Sequence, residues 1–130
     1  MKLNIKYQER KNDNDCWNVA LSLFTGKSYE TIRKHFKAFI SNDGKVYNSV
    51  VKGYCNDNYC IINVDLPLDK ALSVYNNTNG IIFLMKSEDG DHALFIKDNT
   101  LYDDIDERGL YLYIESFNVT NVILPYEDLE

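Results

Sequence analysis

The chain has 130 residues, 45% of them hydrophobic and 13% aromatic, and its 20 acidic against 14 basic residues give a formal net charge of −6. That is enough apolar chain for one domain with a sizeable core, spanning residues 1–130, and the acidic balance argues against a surface built to neutralise nucleic-acid phosphates or anionic lipid. Three cysteines in an otherwise ordinary composition do not make a disulfide framework, so reduced thiols are expected.

Leu3, Ile5 and Tyr7 alternate with polar neighbours and predict a short strand. A polar run from Gln8 to Asp15 follows and stops at Cys16, where a nearly all-apolar segment begins. Asn14 or Asp15 can cap a helix whose first turn holds Cys16, and Gly26 can end it in the left-handed conformation. Val19, Ala20, Leu23 and Phe24 form one stripe of this helix and Trp17 and Leu21 the next, which predicts a central position in the domain. Ser28 can cap a second helix in which Tyr29, Ile32, Phe36 and Phe39 recur at helical spacing; His35 sits beside that stripe and reads as structural. A turn at Ser41-Asn42-Asp43-Gly44 precedes Val46, Val50, Val51 and Tyr54, whose spacing predicts a third helix.

Residues Tyr59 to Val64 predict a strand, and Asp65-Leu66-Pro67 announces a short helix through Leu72 and Tyr75. From Ile81 the pattern is β, with strands expected over Ile81–Met85, His92–Lys97, Thr100–Asp103, Leu110–Glu115 and Asn118–Leu124. Helices come first and strands later, which predicts an α+β fold with a C-terminal antiparallel sheet. No stretch approaches the roughly 20 apolar residues of a membrane span, and Met1 to Lys6 lack the apolar core of a signal peptide, so no membrane partner and a cytoplasmic location are expected.

Cys16 carries the chemical argument. At a helix start, free N–H groups and the helix dipole stabilise a thiolate, which is the nucleophilic form. A nucleophile needs a base, and of the two histidines, His35 and His92, the latter is the better candidate. Asp98-Asn99 is a two-residue turn between the strands carrying His92 and Asp103. If Lys97 pairs with Thr100, His92 pairs with Ile105, and Asp103 becomes the diagonal same-face neighbour of His92. An odd loop length would promote Asp104 instead. A carboxylate on one ring nitrogen leaves the other free to take the proton of Cys16. The backbone N–H of Cys16 supplies one donor to an oxyanion, and Asn14 or Gln8 is the side-chain amide available for the second.

These residues resemble papain-like cysteine peptidases: an upstream Gln8, Cys16-Trp17 opening a central helix, and a late strand beginning His92-Ala93. Asn14-Asp15-Cys16-Trp17, Ala20-Leu21, Thr25-Gly26-Lys27-Ser28-Tyr29-Glu30, His92-Ala93 and Leu101-Tyr102-Asp103 look most like compact phage-encoded proteins related to bacteriocin-processing peptidases. The resemblance implies a papain-like fold with the nucleophile at the start of the central helix. It also implies a catalytic Cys16, His92 and Asp103, an acyl-enzyme intermediate, a protein or peptide substrate and no cofactor. The alternative is a phage or mobile-element protein of the same fold that binds and inhibits a host protein without catalysis.

Other constellations carry less. Cys55 and Cys60 lack the second ligand pair of a structural zinc site, and the acidic run from Asp98 to Glu107 lacks the ligand spacing of a calcium loop, so no metal is expected. No glycine loop for a phosphate chain is present, and the ten tyrosines are dispersed rather than interleaved with basic residues, so no nucleic-acid partner is expected.

Overall fold

A computed structural model of the protein describes residues 4–7, 16–57, 59–75, 80–87, 90–98, 100–103 and 118–125. The first strand, β1 (Asn4–Tyr7), leads to helix α1 (Cys16–Thr25), which begins and ends close to where its sequence predicts. Gly26 closes it at φ 74°, donating its N–H to the Ser22 carbonyl at 3.0 Å. A glycine there avoids the steric cost that a Cβ meets in the left-handed region. Helix α2 (Tyr29–His35) starts at Ser28, whose hydroxyl accepts the Thr31 N–H at 3.1 Å.

The predicted apolar stripe of α2 runs further than the helix does. Phe36 is already its cap, residues Lys37–Phe39 form a short 3-10 turn, and Phe39 is 56% exposed instead of joining the core. After the turn at Ser41 to Gly44 come α3 (Asn48–Cys55), strand β2 (Cys60–Pro67) and α4 (Leu68–Tyr75). Pro67 is the last residue of the strand, so α4 starts directly behind it. The strands β3 (Ile81–Ser87), β4 (Gly90–Lys97), β5 (Thr100–Asp103) and β6 (Asn118–Leu124) complete the described elements. The strand expected over 110–115 lies outside the described residues.

The strands form one sheet in the order β1-β5-β4-β3-β6-β2, giving the α+β architecture expected. Five of them pair antiparallel, and β1 joins the edge parallel to β5. The β4–β5 hairpin has the predicted register, Lys97 against Thr100 and Phe95 against Tyr102.

Both faces of the central strands β3 and β4 are buried. Ile82, Leu84, Ala93, Phe95 and Ile123 meet Trp17, Ala20 and Leu21 of α1, together with Ile32, Phe36, Val51 and Cys55 from the α2 and α3 layer. Ile81, Phe83, Met85, Leu94 and Ile96 lie on the other face, under Leu68, Ala71 and Leu72 of α4. Successive side chains of a strand point to opposite faces, so a strand buried on both sides is apolar throughout, as Ile81 to Met85 and Ala93 to Ile96 are.

Candidate functional site

Cys16 is the first residue of α1 and is half-buried. The direction of α1 follows from its far end. Phe24, in its last turn, packs on Tyr59 with ring centroids 4.6 Å apart, and Tyr59 leads directly into β2. At that end of the sheet Cys60 pairs with Leu124, Ile82 pairs with Ile123, and β4 finishes at Lys97. The start of α1 therefore lies toward the opposite end, where β3 finishes, β4 begins and β5 finishes.

Two hydrogen bonds tie Cys16 to that end through the loop before α3. The indole N–H of Trp17, the next residue, donates to the Gly44 carbonyl at 3.1 Å. Four residues on, the Asn48 side-chain amide donates to the Met85 carbonyl at 3.0 Å, and Met85 is the register partner of His92. Asp103, the last residue of β5, is at the same end, next in sequence to the Tyr102 that pairs with Phe95. The chain also leaves β1 there, since Tyr7 pairs with Asp103. Gln8, Asn14 and Asp104 lie outside the described residues.

His92 and Asp103 thus lie at one end of the sheet and α1 starts toward that end, but His92 is not on the face that α1 covers. His92 is buried at 6% exposure, and the unbroken β3–β4 register sets it opposite Met85. Alternation then places it in the row of Leu94 and Ile96, on the α4 side, whereas α1 covers the row of Ala93 and Phe95. An imidazole in that row meets the Cys16 thiol only around the end of the sheet, two residues from where β4 starts.

The three thiols occupy different settings. Cys55 is wholly buried, and burial pushes its thiol up to about 12, so it stays protonated and inert. Cys16 and Cys60 are half-buried, and only Cys16 stands at a helix start. Among the described residues no group of His, Cys, Asp and Glu side chains could hold a metal ion. No described helix is long and apolar enough to cross a membrane.

Comparison with protein-family models, curated proteins and solved structures finds no match.

Two further polar residues shape this region, Asn48 and Asn18. Asn48 carries no signal in a helix predicted from its valines, because its role depends on a strand 37 residues away. Asn18 did leave a trace, as the polar residue in an otherwise apolar turn. It is fully buried; its Oδ1 accepts the Ser22 hydroxyl at 3.4 Å, but its Nδ2 has no partner. A buried amide donor left unpaired costs roughly 1–3 kcal/mol. Asn18 is therefore held in α1 at a cost to stability.

Proposed function

We propose that the protein is a thiol hydrolase of papain-like fold, a peptidase or isopeptidase, in which Cys16 attacks a carbonyl and His92 moves the proton. The observation that supports this reading is that Cys16 opens α1, which starts toward the end of the sheet where β4, with His92, begins and β5 finishes at Asp103. The thiolate adds to the amide carbon, the backbone N–H at the helix start stabilises the oxyanion, and the departing amine takes the proton from imidazole. Water then releases the acyl group. Asp103 is the proposed partner of the His92 ring, and Asn14 or Gln8 the second oxyanion donor.

The face of the sheet on which His92 sits favours a second reading, a protein that uses this fold to bind a host protein without chemistry. Alkylation separates the two. Iodoacetamide labelling of each cysteine is followed by mass spectrometry from pH 5 to 9, on the wild type and on His92→Ala. The hydrolase reading expects Cys16 to label fast near pH 6, with that advantage lost in His92→Ala and Cys55 unlabelled until the protein unfolds. Labelling of Cys16 with the same pH dependence as Cys60 in both proteins refutes the pair and leaves the binding reading.

A further inference from the structure

A second feature lies away from Cys16, between α2, α3 and the loop after α1. A pocket of about 270 Å³ there is lined by Lys27, Thr31, Ile32, Lys34, His35 and Tyr54. Ile32 is fully buried and belongs to the core, and the other five lining residues all bring hydrogen-bonding side chains. Lys27 comes from the loop and reaches across to Tyr54, its Nζ 3.4 Å from the phenol oxygen and 6.0 Å from the ring centroid. His35 packs edge-on against the same ring at 4.8 Å.

The charge of the pocket runs against that of the chain. With a formal net charge of −6 over the whole protein, no carboxylate among the described residues lines this pocket, and two lysines from two separate elements do. The macrodipole of α2 accounts for cations in its last turn, where Lys34 and His35 lie, but not for Lys27.

We propose that this pocket is an anion site for a phosphate monoester. Two ammonium groups match the charge of a phosphate dianion, and the hydroxyls of Thr31 and Tyr54 and an N–H of His35 supply further donors to its oxygens. The volume exceeds that of a phosphate group alone, and the Tyr54 and His35 rings form a wall against which a planar carrier of the phosphate can lie. The same chemistry is offered by free phosphate and by phosphate on an organic carrier, and two probes tell them apart.

Inorganic phosphate and phenyl phosphate are titrated separately into the full-length protein at low salt, followed by backbone amide NMR and calorimetry. Saturable shifts are expected at Lys27, Thr31, Lys34, His35 and Tyr54. The double variant Lys27→Ala/Lys34→Ala should weaken binding by roughly tenfold or more, whereas Lys70→Ala on α4 should leave it unchanged. Tighter binding of phenyl phosphate assigns the site to a carried phosphate, and equal binding assigns it to the free ion. Shifts that do not saturate, or an equal loss in Lys70→Ala, overturn the proposal as general attraction to surface lysines. Thermal unfolding of each variant confirms that a loss is not a loss of fold.

Discussion

On one face of the sheet, among the described residues, Phe83, Met85, Leu94 and Ile96 meet one eight-residue helix, α4, through Leu68, Ala71 and Leu72. On the other, Ile82, Leu84, Ala93 and Phe95 meet three helices whose contacts are directional as well as apolar. Trp17 lies edge-on to Phe36 at 5.4 Å, Phe36 to Tyr54 at 5.1 Å, and the Trp17 and Asn48 hydrogen bonds fix the loop between them. Aliphatic burial is tolerant of small shifts, whereas aromatic edges and hydrogen bonds fix geometry. The α1 side is the one on which a side chain can be held at a set position, and it is the side where Cys16 stands.

The largest effect should come from the geometric face. Trp17→Ala removes a ring that is 2% exposed together with the bond to Gly44, and a loss of about 3–5 kcal/mol is expected in denaturant unfolding. The loop around Gly44 should lose its protection in hydrogen exchange in the same variant. On the aliphatic face, Leu68→Ala should cost about 2–4 kcal/mol, and hydrogen exchange should report α4 opening while α1 stays protected. Simultaneous opening of both helices at the same free energy would show that the two faces act as one unit.

Asn18→Leu runs in the opposite direction. Filling the same space without the unpaired donor should raise stability by about 1 kcal/mol, measured by thermal unfolding. A loss instead would mean that the amide has a partner in solution. The smallest effect belongs to the exposed turn beside the geometric face. The Ser41 hydroxyl and the Lys45 N–H hold the Asp43 carboxyl below the ordinary aspartate value. A depressed carboxylate contributes its stabilisation above the unfolded value, near 4, and loses it as pH falls through the folded one. Amide shifts of residues 41–45 should therefore change below about pH 4, and Asp43→Asn should abolish that step.

What could be read from the sequence was the part set by neighbours along the chain. Ser28 and Gly26 announced the ends of their helices because capping is local, and the Asp98-Asn99 turn predicted the β4–β5 register because hairpin pairing follows from loop length. Phe39 misled because helical spacing continues past the point where Phe36 caps α2. The parallel pairing of β1 with β5 joins Asn4 to Thr100 and leaves no local trace.

The candidate site divides in the same way. That Cys16 opens a helix was legible, and so was the strand register from which Asp103 was placed relative to His92. Which face of β4 would meet α1 was not. Ala93, Leu94, Phe95 and Ile96 are all apolar, so the alternation that normally marks an inner face is missing. The basic pocket was invisible because Lys27, Lys34 and Tyr54 come from three elements whose charges, taken singly, look like ordinary solvated positions.

The edge position of β1 bears on the order in which the molecule assembles. The β3–β4 and β4–β5 pairings join near neighbours in sequence and carry a small loop-closure cost, so they can form early. β1 can dock only on a β5 already in place, and it is the strand that leads toward Cys16. The end of the sheet toward which α1 starts is then completed in a late step of folding, and a chain interrupted before that step carries the Cys16 thiol without the arrangement proposed to activate it.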